Sequence, residues 1–191
     1  MCRLYRAGAS DCHAFDRRYP AGMEVTIRRA KTRDVRDIRR LIDLYSTERR
    51  LLSKATVALY EDVQEFRVAV DGDAVVGCGA LHVMWEDLAE VRTVAVDPAY
   101  RGHKIGYRIV EALLAAAGEL DVAKVFCLTF ETGFFGSLGF QPIDGAPVPP
   151  KVYEELLRSY DEGVAEFLDL ERVKPNTLGN TRMLLRLGDA G

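Results

Sequence analysis

No stretch of this sequence approaches the ~20 consecutive apolar residues of a membrane-spanning helix, so no span is expected. The opening residues, MCRLYR, lack the apolar core of a signal peptide, which leaves the cytoplasm as the expected compartment. Basic blocks are missing as well. With a net charge of −3, neither nucleic acid nor an anionic membrane is an expected partner. The four cysteines, Cys2, Cys12, Cys78 and Cys127, form no CxxC pair, so neither a zinc site nor a dithiol redox motif is written here. Cys78 and Cys127 fall in apolar runs and read as small buried hydrophobes. His13, His82 and His103 stand at no ligand spacing, and no metal is predicted. Neither the P-loop pattern GxxxxGK[ST] nor the dinucleotide pattern GxGxxG occurs. Repeats and low-complexity tracts are also absent.

What is present suits one α/β domain: 191 residues, 48% of them hydrophobic, are enough for a real core. Residues 1–22 are mixed and aperiodic and read as a disordered leader. Met23 directly precedes the first patterned strand, at 25–28, and residues 23–191 are taken as the domain. A helix follows at 34–45, with Val35, Ile38, Leu41, Ile42 and Tyr45 on one face and Thr32 or Asp34 as cap. A second helix is predicted at 56–65, then strands at 66–70 and 74–83 joined by the tight turn Asp71-Gly72-Asp73. Residues 85–89 read as a crossing segment. Beyond the central unit come a buried strand at 124–129, a short helix at 133–138 and a proline-rich loop at 146–150. Two further helical segments, at 153–160 and 162–170, and a final strand near 183–185 complete the order.

The central unit is residues 90–117. Apolar and β-branched residues make 90–96 a strand, which Asp97-Pro98 ends because proline has no N–H for a ladder. A glycine-containing turn leads to an amphipathic helix carrying Ile105, Ile109, Leu113 and Ala116. Such a turn gathers free N–H groups at the positive end of a helix dipole, a natural seat for phosphate or pyrophosphate. A plain structural turn is the alternative.

The segment VAVDP at 94–98 followed by RGHKIG at 101–106 resembles the strand end and [QR]xxGx[GA] loop of the GNAT acetyltransferase superfamily. Lys104 stands where the middle glycine is usual. If that position has positive φ, lysine is strained there by roughly 1 kcal/mol. A contact with phosphate would offset this, whereas a solvated ammonium would not. The segment ETGFFGSLGF at 131–140 is similar to the FFxxxGF element of the N-acetylglutamate synthase branch. Ala89-Glu90, LLSK at 51–54, LYE at 59–61 and KPNTLGNTR at 174–182 point the same way. The chain therefore resembles the short, single-domain form of that enzyme.

The resemblance implies the GNAT fold, a mixed central β-sheet with helices on both faces. It implies acetyl transfer from acetyl-CoA to the α-amino group of glutamate or glutamine, the first step of arginine biosynthesis. Val94, Ala95, Val96, Arg101, Gly102, His103, Lys104, Ile105, Gly106 and Phe135 would hold coenzyme A. A backbone N–H near Val94 would meet the oxyanion. An ammonium substrate must lose a proton before its nitrogen attacks, and a carboxylate or a water held by one can take it. The family places an acid at the position of Glu90; Glu131 is the second candidate and a surface or salt-bridged glutamate the plain alternative. Many members protonate the thiolate with a tyrosine, but Phe135 occupies that place, leaving Thr129 as a weak hydrogen-bond donor. Arg92 is a candidate for the substrate's carboxylates, since a cation inside an apolar strand needs an anion. Lys54 stands where the family keeps a cation for the substrate, with a solvated lysine as the alternative. Lys174 and Arg182 flank an Asn/Thr/Gly-rich segment whose Asn180 could bond the substrate's amide or carboxylate, a turn held by those side chains being the alternative. For Arg92 an internal salt bridge is the competing assignment. Another acceptor amine, a protein N-terminus, or a coenzyme-A sensor without turnover are the competing functions. A homodimer is left open.

Overall fold

In the computed structural model, residues 24–46, 55–173 and 179–188 are described. Seven strands form one sheet: β1 (Val25–Arg29), β2 (Phe66–Asp71), β3 (Ala74–Trp85), β4 (Leu88–Val96), β5 (Lys124–Thr129), β6 (Gln141–Pro142) and β7 (Thr181–Arg186). Their spatial order is β1-β2-β3-β4-β5-β7-β6. Only β4 and β5 run parallel; every other neighbour pair is antiparallel. The helices are α1 (Val35–Ser46), α2 (Thr56–Glu61), α3 (Ile105–Glu119), α4 (Thr132–Ser137), α5 (Pro150–Leu156) and α6 (Glu162–Phe167).

Most expected elements are present, with shifted ends. The strand expected at 74–83 runs on to Trp85, and the supposed crossing segment is a hairpin in which Trp85 pairs with Leu88 across a turn at Glu86-Asp87. Two polar residues between apolar neighbours make a tight turn, and this one carries β4 back to Leu88. The helix expected at 56–65 ends at Glu61, and a 3-10 turn at Val63–Glu65 feeds β2. The strand β6 has no counterpart in the sequence reading, being only two residues long.

Period-two alternation gives the sheet two apolar faces. Ala69, Val76, Leu81, Ala89, Val91, Val125 and Cys127 face α3, whose Ile105, Ile109, Val110 and Leu113 complete one buried cluster. The other face carries two clusters. In one, Phe66, Val68, Cys78 and Ala80 meet α1 and Leu59 of α2. In the other, Phe126 and Leu184 meet Leu156 of α5 with Val164 and Phe167 of α6. Ala80, His82, Glu90 and Phe126 share this face, because Ala80 pairs with Arg92, His82 with Glu90, and Glu90 with Phe126. Polar side chains thus lie between the two clusters.

The β4–β5 pairing stops at Glu90 and Phe126. Beyond it the two strands diverge, and a gap opens between their ends. On the β3 side, Cys78 pairs with Ala95 and Ala80 with Arg92, so Thr93 and Val94 bulge out of the ladder. Thr93 adopts φ 58, a left-handed conformation that turns the strand at this point.

Candidate active site

The gap between β4 and β5 is a cleft of about 530 Å³. One wall is β4 from Val91 to Val96; the other is the end of β5 with Phe130, Glu131, Phe134 and Phe135. Arg101, Gly102, Lys104, Ile105, Gly106 and Tyr107 close one end. The expected coenzyme-A segment thus comes together on this cleft, with one exception. His103 is not in the lining, and its Nδ1 lies 3.2 Å from the Tyr100 carbonyl oxygen.

Lys104 is the N-cap of α3 and has φ 55, ψ 19. The strain foreseen for lysine at this position is therefore present. Its side chain makes no capping hydrogen bond, and the first helical bond runs from the Arg108 N–H to the Lys104 carbonyl. The amides of Ile105, Gly106 and Tyr107 consequently precede the helix's own hydrogen-bond ladder, as at any helix start. Preceding them, Gly102 at φ 84 makes the turn in a left-handed conformation that glycine adopts without strain. A phosphate-bearing group fits this arrangement.

Phe135 lines the cleft and is also core, packed edge-on against Phe134 and Phe140. Thr129 ends β5 in the lining; its Oγ1 accepts the Glu131 N–H at 2.9 Å, which leaves the hydroxyl proton to donate elsewhere. Tyr45, which the sequence placed on the packing face of a helix, also reaches the cleft and donates its hydroxyl to the Val96 carbonyl at 2.5 Å.

Glu90 and Arg92 lie side by side on β4. Glu90 is buried, 3% exposed, and Arg92 Nη1 is 3.9 Å from its Oε2. Arg92 reaches the cleft wall, yet most of its guanidinium is held by internal acids. Its Nη1 bonds both oxygens of Asp161, at 2.9 and 3.1 Å, and its Nη2 bonds Glu65 at 3.0 Å and Asp62 at 3.4 Å. Its Nε is buried without a hydrogen-bond partner among the described residues. Burial alone would lower the Arg92 pKa; the carboxylates of Glu90, Glu65 and Asp161 outweigh it and raise it. His82 belongs to the same network, with Nδ1 2.7 Å from Glu65 and Nε2 3.8 Å from Asp161. Burial works to lower the imidazole, but the Glu65 hydrogen bond and the nearby carboxylates raise it overall. Asp161 is pulled below its ordinary range, burial being overcome by Arg92. Glu166, only 7% exposed, is pushed up to about 7, by burial first and by the Glu90 charge second.

Arg182 does not meet the cleft lining. It donates to the carbonyls of Glu166 (2.5 Å), Gly145 (3.1 Å) and Phe167, with its guanidinium over the Phe126 ring, and so secures the C-terminal end of α6. Asn180 immediately precedes β7, where Thr181 pairs with Thr129 at the end of β5. Lys54 and Lys174 lie outside the described residues, as do residues 1–22. Sequence reasoning missed Asp62, Glu65, Asp161 and Glu166, which join β4 from both flanks. One local signal existed: Asp161 precedes the helical stretch 162–167 as an N-cap and accepts the Val164 N–H.

Comparison with known proteins agrees with this geometry. The family model "Acetyltransferase (GNAT) domain" matches residues 62–142. An amino-acid acetyltransferase of Mycobacterium tuberculosis is 57% identical over 171 residues, 88% of this chain and 98% of that protein. A solved structure from M. tuberculosis, in complex with CoA and NLQ, superposes with a TM-score of 0.83 at 58% identity, covering 85% of this chain and 99% of that one. The N-acetylglutamate synthase of Neisseria gonorrhoeae, complexed with coenzyme A and N-acetyl-glutamate, gives a TM-score of 0.69 at 22% identity. That match covers 86% of this chain and 35% of the other, and at this identity the likeness is one of fold.

Proposed function

The chain belongs to the GNAT acetyltransferase family, as an amino-acid acetyltransferase, and from that premise we propose that it acetylates the α-amino group of L-glutamate or L-glutamine with acetyl-CoA. The observation that carries this reading is the cleft itself. Its end is the uncapped N-terminus of α3, and its wall carries a cation, Arg92, beside a buried carboxylate, Glu90. The coenzyme A in the M. tuberculosis complex supports the donor. The family resemblance supports a cytoplasmic enzyme at the first step of arginine biosynthesis, acting on small molecules.

The turn from Arg101 to Gly106 would take the pyrophosphate, with Lys104 adding charge. The amino acid enters as an ammonium. Glu90, acting through a water because it lies behind the cleft wall, takes one N–H proton. The freed electron pair attacks the thioester carbonyl carbon and a C–N bond forms. The oxyanion is met by the N–H at Val94, in the bulge that Thr93 creates. Collapse breaks the C–S bond and the electron pair leaves on sulfur. A second proton from nitrogen reaches the thiolate, with the Thr129 hydroxyl donating a hydrogen bond. One proton is released to solvent per turnover. In this scheme Arg92, on the cleft wall, supplies positive charge for a substrate carboxylate, supported by Lys54, Lys174 and Asn180.

A thiol-release assay tests the acceptor. Glutamate or glutamine should turn over, and amines of similar size without a carboxylate should not. Equal rates for such amines would remove the amino-acid assignment.

A further inference from the structure

The backbone of α6 lies directly on the Glu90 carboxylate. A Cβ at position 163 would collide with Glu90 Oε2, so any larger residue there would push that carboxylate aside. Glu166 is three residues further along, on the same side of the helix as Gly163. It is buried, and the Glu90 charge acts on it. Two anchors hold α6 in this pose. Asp161, its N-cap, is bonded to Arg92 of β4, and the carbonyl of Glu166 itself is bonded to Arg182 of β7.

We propose that Glu166 is a positioning residue for the catalytic base: with Glu90 it forms a pair of neighbouring buried carboxyls, and whether Glu166 holds a proton sets how readily Glu90 accepts one from the substrate ammonium. The proposal rests on the reading of Glu90 as base.

Two carboxylates in one poorly solvated site cannot both ionise cheaply, so they titrate as a pair. The charged groups facing Glu166 favour the neutral form on balance. Glu90 on β4 and Asp161 and Glu162 on its own helix raise it, while Arg92 of β4 lowers it. Arg182 of β7 meets the backbone carbonyl of Glu166, and His82 of β3 is turned toward Asp161 and Glu65. With Glu166 protonated, it places no charge of its own beside the Glu90 carboxylate. Once Glu166 ionises, the remaining carboxylate becomes a stronger base.

The test is the pH profile of kcat/KM for glutamate in the wild type, Glu166→Gln, Glu166→Asp and His82→Gln. It is joined to an isotope-edited infrared titration of the protonated-carboxyl band. The wild type should show an inflection near pH 7 and a band that fades across the same range. Glu166→Gln, of the same size, should lose both, while Glu166→Asp should keep a displaced inflection and His82→Gln should keep it in place. In Glu90→Gln the band should fade at lower pH, because its neighbour's charge is gone. An inflection that survives in Glu166→Gln, or a band midpoint indifferent to Glu90→Gln, overturns the pair. The base assignment fails separately, if Glu90→Gln retains wild-type kcat. If Glu90→Gln abolishes turnover while the Glu166→Gln profile overlays the wild type, Glu90 stands as base and the pair does not.

Discussion

On the face that α3 covers, the buried residues form one apolar cluster, whereas the opposite face carries two clusters with charge between them. The first face gains its stability from area alone, at about 1.5–3 kcal/mol for each fully buried large side chain. The second interrupts its core with Arg92, Glu90, Glu166 and Asp161; Arg92 and Asp161 hold each other charged against burial, while Glu166 is pushed toward its neutral form. The difference shows where the molecule spends stability on chemistry. The apolar face holds α3 rigid, so that its N-terminus stays aimed at the cleft. The charged seam places a buried carboxylate, Glu90, beside Arg92, which reaches the wall of the same cleft.

The largest effects should separate the two faces by their response to pH. Arg92→Ala strands several carboxylates and should cost ~3–5 kcal/mol at neutral pH. The loss should shrink on acidification, as those carboxylates take up protons. Leu113→Ala, in the α3 cluster, should cost ~2–5 kcal/mol by the same amount at every pH. Thermal melts of both variants at pH 5 and pH 8 decide the matter; parallel losses for Arg92→Ala would mean that its charge is not what the seam needs.

Next comes Glu90→Gln, which keeps size and removes proton affinity. Its kcat should fall roughly 10²-fold with the Kd for acetyl-CoA unchanged. An unchanged kcat would shift the proton to Glu131 or to bulk water. Gly163→Ala should act through the same carboxylate, since the added methyl meets Glu90. A displacement of about 1 Å is enough for a loss of roughly tenfold or more in kcat. Wild-type turnover in Gly163→Ala would show that α6 yields and that its closeness to Glu90 is incidental.

Glu166 bears on stability too, with a definite sign. Its folded-state pKa of about 7 lies above the ordinary 4.5, so between those values the folded chain holds more protons than the unfolded one, and stability falls as pH rises. Glu166→Gln should therefore raise Tm at pH 8, by roughly 1–2 kcal/mol in stability, and by nothing below pH 4. His82, raised as well, contributes stability at low pH that is lost as pH climbs through its folded value. The smallest effects belong to the turn. Lys104→Gly should relieve about 1 kcal/mol of left-handed strain, measured by Tm. Lys104→Ala keeps the strain and should weaken coenzyme-A binding by about 1 kcal/mol if the ammonium meets phosphate.

The α3 face was legible in the sequence because local periodicity writes it. The stripe of Ile105, Ile109 and Leu113 and the strand before Asp97-Pro98 need only neighbours in the chain. The positive φ of Lys104 could be suspected because lysine stood where glycine is usual. The seam left no such trace. Asp161 and Glu65 meet Arg92 across 69 and 27 residues, and charged residues at such separations look like surface until the fold joins them. The Asn/Thr/Gly-rich setting of Arg182 suggests a substrate contact, and only the fold shows its guanidinium on the carbonyls of Glu166 and Gly145.

The strand order β5-β7-β6 has a consequence for how the chain assembles. β7 follows both of its neighbours in sequence yet lies between them, so β5 presents an open hydrogen-bonding edge until β7 arrives. Because Arg182 is on β7, α6 is secured at its C-terminal end only in that same event. Closing the sheet and securing the C-terminal end of α6 thus depend on the same long-range pairing, whose loop entropy is lost before its contacts form. A chain paused before that step would leave the α3 cluster without Met183 of β7, while exposing an adhesive strand edge of the kind that recruits other chains.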